Sequence, residues 1–202
     1  MKIKRLPKVI SLLSLILISS LVLTACSSKE SSSIEILIGN SYVIPENFDS
    51  TTQDLIANHP DWQDEEATVG FTSINFGDPE TDPYAGANIA KVSAMVAAKE
   101  IDIMICDMDN ATRLARTEMF TPVEEFLSEE DMEKYQDRLL TFELVDEEGN
   151  LTGEYTPACG ISITGQEAFD KIYGEQEYGV FLVSNADPVE NAEKVFIDIL
   201  DA

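Results

Sequence analysis

The chain contains few of the residues on which protease chemistry depends. Its 202 residues include a single histidine, His59, and three cysteines. The catalytic triads of serine and thiol proteases place a histidine beside the nucleophile. His59 lies in the polar stretch NHPDW, which is typical of a surface loop. The composition therefore gives such triads little support.

Basic residues are also scarce. The chain has 13 lysines and arginines against 38 aspartates and glutamates, which gives a formal net charge of −25. A chain this acidic is repelled by nucleic acid and by anionic membrane surfaces. We therefore expect no nucleic-acid partner, whereas cations, cationic ligands and neutral solutes stay open as partners.

The N-terminus has the pattern of an export signal. Four basic residues among the first eight precede an apolar run over residues 9–23, and the sequence Leu-Thr-Ala-Cys then ends at Cys26. The run is shorter than the roughly 20 residues that a membrane-spanning helix needs. Small residues before a cysteine resemble the bacterial lipobox, which implies cleavage before Cys26 and a diacylglyceryl group on its sulfur. We predict a lipoprotein signal peptide over residues 1–25 and lipid anchoring at the extracellular face of the cell membrane. The alternatives are an ordinary signal peptide and an uncleaved anchor helix.

A serine-rich stretch, residues 26–33, follows the predicted cleavage site. It has too little apolar surface to pack and is typical of a flexible tether. Residues 34–202 suffice for one domain with an ordinary core and are short for two. Cys106 and Cys159 both lie in apolar stretches, so a disulfide and two free buried thiols both stay open.

Residues 34–202 alternate between strand and helix patterns. Strands are predicted over residues 34–40, 68–76, 101–106, 158–164 and 179–184. Helices are predicted over residues 50–58, 88–99 and 122–138. A further helix is predicted to begin at an N-cap formed by Asp109 or Asn110, and the last helix to run from an N-cap at Asp187 to the C-terminus. Residues 142–145 and 151–156 flank a turn with a glycine and predict a small β-hairpin. This order predicts a single three-layer α/β lobe with a mostly parallel sheet.

The stretch IMICDMDN places Asp107 and Asp109 directly after an apolar strand. This pair resembles the first motif of the haloacid-dehalogenase phosphatases, in which one aspartate attacks phosphorus and the other moves a proton beside Mg²⁺. That family places the motif on its first strand and needs a later acidic pair, and neither feature matches this sequence. A metal-dependent phosphatase is therefore the less favoured alternative, and we predict a chain that is not an enzyme and needs no cofactor.

A longer stretch, KVSAMVAAKEIDIMICDMDNATRLARTEMFTPVEEFL, resembles extracellular solute-binding proteins of the type II periplasmic-binding fold. The resemblance consists of a helix, Lys99-Glu100 in place of Gly-Glu, a strand, a helix over its end, and the octet FTPVEEFL. Residues 178–200 resemble the return segment of the same family. The family has two lobes with a ligand in the cleft between them and a transporter permease as partner. This chain has about half the needed length and resembles a single lobe.

Ligands of open parallel sheets lie beyond the carboxyl ends of the strands. The residues that follow three predicted strands are Asn40, Ser41, Tyr42, Phe76, Asp78, Asp107, Asp109 and Asn110. We predict that this set, called the strand-end rim below, binds a sugar-like or cationic small solute. One alternative is that Asp109 caps a helix and Asp107 is only solvated. Another is a surface lipoprotein that contacts a permease or another protein and binds no small ligand.

Overall fold

The computed structural model describes residues 33–41, 45–64, 67–78, 81–186 and 189–202. The predicted signal peptide, the lipidation site Cys26, the rim residue Tyr42 and the predicted cap Asp187 lie outside the described residues. Within those ranges, no helix has the length and apolar character needed to cross a membrane.

The described residues form strands and helices in alternation. The strands are β1 (Ser33–Asn40), β2 (Gln63–Asp64), β3 (Ala67–Asn75), β4 (Ile103–Asp107), β5 (Leu139–Leu140), β6 (Glu143–Val145), β7 (Leu151–Tyr155), β8 (Gly160–Ser162) and β9 (Tyr178–Leu182). The α-helices are α1 (Pro45–Asn58), α2 (Ala85–Ala97), α3 (Met108–Ala115), α4 (Glu129–Lys134), α5 (Glu167–Tyr173) and α6 (Val189–Leu200). Short 3-10 helices occupy Pro60–Trp62, Val123–Glu125 and Gln136–Arg138.

Seven of the described strands form one mixed sheet in the order β2-β3-β1-β4-β9-β8-β5. Strand β1 runs parallel to both β3 and β4, whereas β9 runs antiparallel to β4 and β8. The predicted α/β class is confirmed, and the prediction of a mostly parallel sheet is wrong. An unbroken apolar run reports burial on both faces and says nothing about direction. Strand β9 is buried along its whole length although it is antiparallel.

Helices cover both faces of the sheet. On one face, Ile36 and Ile105 belong to an apolar cluster with residues of α1, α5 and α6. On the other face, Leu37 and Met104 belong to a second cluster with residues of α2 and α3. Successive side chains of a strand point to opposite faces, so the unbroken apolar runs of β1 and β4 supply both clusters. The lobe therefore has three layers, with the sheet in the middle.

Strands β6 and β7 form a separate two-stranded sheet, as the sequence predicts. The Asp146 carboxylate accepts hydrogen bonds from the backbone N–H groups of Glu148 and Asn150 and so organises the turn. All five residues of β7 are exposed. This hairpin therefore adds little to the core.

Two helical segments differ from the sequence prediction. The predicted helix over residues 122–138 is divided into α4 and two 3-10 helices, because Ser128 starts a new N-cap by accepting a hydrogen bond from the backbone N–H of Asp131. Helix α5 was not predicted, and it occupies the connection between β8 and β9. Cys106 and Cys159 are both free and buried, so the structure favours two thiols over a disulfide.

Candidate functional site

The strand-end rim is assembled as the sequence predicts. In the paired strands, Asn40 lies beside Asn75 of β3, and Gly39 lies beside Cys106 of β4. Four rim residues consequently gather at one end of the sheet, but all are buried, with at most 6 % of each exposed: Asn40, Phe76, Asp107 and Asn110. The sequence predicted their position and did not predict their burial.

Asp107 is the N-cap of α3. Its Oδ1 accepts a hydrogen bond from the backbone N–H of Asn110 at 3.0 Å, and its Oδ2 accepts one from Asn110 Nδ2 at 2.6 Å. The Arg113 guanidinium donates in turn to Asn110 Oδ1. A cap at Asp109 or Asn110 is therefore a wrong prediction. Asp107 is the last residue of β4 and keeps an extended backbone (φ −64°, ψ 159°), which is the conformation that an N-cap requires.

Asn40 and Phe76 are parts of the packed interior. Asn40 Nδ2 donates to the Ile172 carbonyl at 3.5 Å. The Phe76 ring lies against Gly39 so closely that a Cβ at position 39 would be 2.2 Å from a ring carbon. Only glycine at position 39 leaves room for the buried ring. The two side chains therefore fix the ends of β1 and β3 in place.

Helix α5 closes the rim. Tyr173 Oη lies 3.1 Å from the Gly39 carbonyl and 2.8 Å from the Ile105 carbonyl, and the hydroxyl donates to this pair. Its ring stacks on that of Tyr178 with the centroids 4.5 Å apart. Burial raises the pKa of Tyr173 well above its ordinary value, so the hydroxyl stays protonated and remains a donor. The carboxyl ends of β1 and β4 are therefore covered by the protein itself.

Contacts with α1 hold α5 in this position. Asn47 Nδ2 donates to the Lys171 carbonyl at 2.6 Å, and Lys171 Nζ lies 3.3 Å from an Asp54 carboxylate oxygen. The first contact is a good hydrogen bond by its length, and the second is an exposed ion pair that contributes little. Helix α5 is thus attached at its last turn as well as by its buried aromatic rings.

Of the described rim residues, Ser41, Asp78 and Asp109 are the ones that reach solvent. The Asp78 carboxylate accepts a hydrogen bond from Thr81 Oγ1 at 2.8 Å, and the Asp78 carbonyl accepts from the backbone N–H of Asp82 at 2.7 Å. Asp78 therefore organises the turn after β3. The solvent-exposed residues among those described come from three separate segments: the ends of β1 and β3 and the first turn of α3.

The environments of Asp107 and Asp109 differ. Asp107 is buried with both carboxylate oxygens bonded to Asn110, whereas Asp109 is exposed. Among the residues that the structure describes, no group of three His, Cys, Asp or Glu side chains is placed to hold a metal ion. The pair does not form the two converging carboxylates that the phosphatase alternative requires.

A pocket of about 370 Å³ lies at the opposite end of the sheet and is called the Cys159 pocket below. It is lined by Ala115, Glu118, Phe120, Thr121, Pro122, Glu125, Thr156, Pro157, Cys159 and Ser184. Ile103 at the start of β4 pairs with Leu182 at the end of β9, so the pocket residues that follow β9 lie away from the rim. The sequence contains no signal for the pocket, because its lining comes from three distant segments and forms no motif.

Backbone contacts fix the walls of the Cys159 pocket. Phe120 forms a β-bridge with Val183, and the Thr121 N–H donates to the Leu182 carbonyl at 2.9 Å. The Phe120 ring stacks on Phe181 with the centroids 4.3 Å apart. The segment between α3 and the helical turn at Val123 is thereby attached to the end of β9, an interior strand of the sheet. The pocket is preformed by packed, hydrogen-bonded elements.

Five of the ten residues that line the pocket are polar: Glu118, Thr121, Glu125, Thr156 and Ser184. Burial raises the pKa of the Cys159 thiol, whose sulfur lies 3.9 Å from Thr156 Oγ1. Glu118 and Glu125 are exposed at the pocket. Glu118 has φ +56°, a left-handed conformation in which glycine would be less strained. The arrangement combines apolar walls with two solvent-facing carboxylates.

A function for this chain has to be assigned from the two ends of the sheet, because comparison with known proteins gives no match. No family model, curated protein or solved structure matches the chain. The carboxyl end is filled by side chains that satisfy one another, and the opposite end has a pocket. Pockets of about 300 to 1,000 Å³ with apolar walls and a few polar groups are typical of small-molecule sites.

Proposed function

We propose that this protein is a lipid-anchored extracellular binding protein that resembles one lobe of an ABC-transporter solute-binding protein and holds a small solute in the Cys159 pocket. The single observation that carries the proposal is the mostly apolar pocket of about 370 Å³. The strand-end rim is the less suitable site because Tyr173 and Asp107 occupy it with internal hydrogen bonds.

The resemblance to one lobe has local support. The chain leaves the sheet after β8, forms only α5, and returns as β9 followed by α6. This excursion stands where a solute-binding protein would enter its second lobe. Because the excursion covers the rim, no second lobe is needed to exclude water there. A solute held by the remaining lobe has to bind elsewhere.

Anchoring is tested by replacing the predicted lipidation site. Cys26→Ser removes the sulfur that would form the thioether, so we expect release from the membrane or accumulation of an unprocessed precursor. Membrane fractionation and intact-mass measurement distinguish the two outcomes from anchoring. Unchanged attachment together with unchanged processing would contradict the proposal.

Binding in the pocket is tested by filling it. Ser184 is exposed and lines the pocket, so Ser184→Phe places a ring in the space without removing a buried contact. A thermal-shift screen of the full chain against sugars, amines and amino acids should give stabilising compounds that no longer act on this variant. Ser93→Phe, at an exposed serine of α2, is the matched control and should keep the response.

A rim variant separates the two ends. Asp109→Ala removes an exposed rim carboxylate, and we expect the thermal shifts to remain unchanged. If the ligand-induced thermal shifts persist in Ser184→Phe and are lost in Asp109→Ala, the ligand binds at the strand-end rim and not in the pocket.

The alternative role, contact with another protein and no small ligand, has one observation in its favour. On the hairpin, Leu151 and Tyr155 are 63 % and 59 % exposed, so this element presents two large apolar side chains that a partner could cover. A screen without any stabilising compound would favour this role if cell-surface cross-linking also captured a partner. That partner should be lost with Leu151→Ser and Tyr155→Ser.

A further inference from the structure

We infer that the Cys159 pocket selects an organic cation, namely an ammonium group attached to an apolar body. This inference rests on the proposed function and specifies the class of solute. Glu118 and Glu125 are the charged members of the lining, and the lining contains no lysine, arginine or histidine. An anion in this pocket would face two carboxylates and find no opposite charge.

The nearest basic residue in sequence, Arg116, is not part of the lining and is held at the hairpin strand beside the pocket. Arg116 Nε donates to the Glu143 carbonyl at 2.8 Å, which attaches its guanidinium group to the first strand of the hairpin. The exposed ammonium groups of Lys134 and Lys194 form ion pairs with Asp201 and Asp61 on other elements. The two glutamates of the lining outnumber the one nearby guanidinium, so the local charge is negative and favours a positive ligand.

The Thr121 hydroxyl of the pocket also prefers a ligand that donates. Thr121 Oγ1 donates its proton to the Val183 carbonyl at 3.3 Å, so the lone pairs of this oxygen remain for a donor. An ammonium group has three donors and no acceptor. It matches two carboxylates and a hydroxyl oxygen better than a neutral alcohol does.

The apolar walls of the pocket favour an apolar body for the part of the ligand that carries no charge. Phe120, Pro157 and Cys159 bring carbon and sulfur surface to the pocket, and Phe120 and Cys159 are themselves buried. A bare metal ion or a fully polar cation would leave this surface unused. A ring or branched alkyl group gains by burying its apolar surface against these walls and away from water.

The test uses three probes of one shape with different charge: 2-phenylethylamine, 2-phenylethanol and 3-phenylpropanoate. Calorimetry is performed on the full chain in a neutral detergent, at low and high salt. We expect the amine to bind about tenfold more tightly than the alcohol and the carboxylate most weakly. The amine's affinity should fall several-fold at high salt, because exposed carboxylates are screened.

Isosteric variants assign the selectivity to the two glutamates. Glu118→Gln with Glu125→Gln should weaken the amine about tenfold and leave the alcohol unchanged, since hydrogen bonds to charged groups are stronger than neutral ones. Glu124→Gln changes a neighbouring exposed glutamate outside the lining and should alter neither probe.

Two outcomes overturn the cation inference alone. They are an alcohol that binds as tightly as the amine, and a double variant that behaves like Glu124→Gln. In both cases the proposed pocket stands if Ser184→Phe still abolishes binding. If none of the three probes binds, or if Ser184→Phe leaves their binding intact, the pocket and the cation inference are both wrong.

Discussion

At the carboxyl end of β1 and β4, the buried Asp107 and Asn110 bond to each other, whereas at the other end Glu118 and Glu125 are exposed beside an apolar pocket. Both ends of the sheet therefore have carboxylates close to them. The difference is that the Asp107 carboxylate accepts hydrogen bonds from within the protein, whereas the carboxylates of Glu118 and Glu125 face solvent. The topological rule for parallel sheets locates the end of the sheet where ligands gather. Whether that end is open depends on the connection that crosses it.

The comparison also separates residues that stabilise the fold from residues that are free to bind. Buried groups with complete hydrogen bonds are costly to change, because each partner is left unsatisfied. Exposed groups at a preformed pocket can be replaced with little effect on folding. Substitutions at the carboxyl end should therefore lower stability and leave binding unchanged. Substitutions at the pocket should weaken binding and leave stability nearly unchanged.

The largest expected effect is that of Tyr173→Ala. The change removes a buried ring, its stacking on Tyr178, and the hydrogen-bond donor to the carbonyls of Gly39 and Ile105. Large-to-small core changes of this kind cost about 3 to 5 kcal/mol. Urea unfolding monitored by circular dichroism measures the loss.

Tyr155→Ala is the matched control, because this tyrosine is 59 % exposed on the hairpin. Its free energy of unfolding should change by less than about 0.5 kcal/mol. A loss below about 1 kcal/mol for Tyr173→Ala would mean that α5 does not hold the strand ends closed. The rim would then return as a candidate site.

A smaller effect is expected for Asp107→Ala. This residue caps α3 and is the partner of the Asn110 amide, and loss of an N-cap costs about 0.5 to 2 kcal/mol. Asp109→Ala, two residues further along, removes an exposed carboxylate and should stay within about 0.5 kcal/mol of the wild type. Chemical denaturation of both variants makes the comparison. Equal losses would contradict the assignment of Asp107 as the cap.

The sequence predicted the elements whose residues repeat in a pattern. The apolar runs of β1 and β4 and the glycine-containing turn of the hairpin were read correctly. Helix α5 was missed although Phe169, Ile172 and Tyr173 have helical spacing, because seven residues between two polar stretches give a weak periodic signal. Since α5 covers the rim, this one omission changed the expected site.

The direction of β9 and the Cys159 pocket were beyond local patterns. Strand β9 lies between β4 and β8 through pairings with residues far away in the chain, and its apolar run is the same for either direction. The pocket combines the end of α3 with residues near Cys159 and Ser184. Each contributing residue is of an ordinary type, so only the assembled fold brings them together.

A third substitution tests whether the pocket end contains strain that the closed end lacks. Glu118 has φ +56°, and Glu118→Gly should relieve this conformation and raise the free energy of unfolding by about 0.5 to 1 kcal/mol. The same change removes a carboxylate from the pocket, so the affinity for 2-phenylethylamine should fall. Thermal unfolding and calorimetry on one preparation measure both effects.

Glu118→Ala is the control that separates charge from backbone. Alanine removes the carboxylate and keeps a Cβ, so we expect weaker amine binding without the gain in stability. A Glu118→Gly variant no more stable than Glu118→Ala would show that the left-handed conformation costs the protein nothing.

The smallest expected effect is on the alkylation rates of two thiols: Cys106, near the carboxyl end of β4, and Cys159, in the lining of the pocket. Burial raises the pKa of Cys159, and it raises the pKa of fully buried Cys106 further. A raised pKa lowers the thiolate fraction at a given pH, and the thiolate is the species that reacts. At pH 8 we expect iodoacetamide to modify Cys159 more slowly than a free cysteine, and Cys106 more slowly still. The rate at Cys159 should rise with pH while the protein stays folded. Saturating 2-phenylethylamine should lower this rate if the thiol lies in the wall of an occupied pocket.

Peptide mapping by mass spectrometry follows the modification of each cysteine separately, with Cys159→Ser as the control for assignment. Faster modification of Cys106 than of Cys159 would show that the core between β1 and β9 opens more readily than the pocket, and the contrast between the two ends would fail.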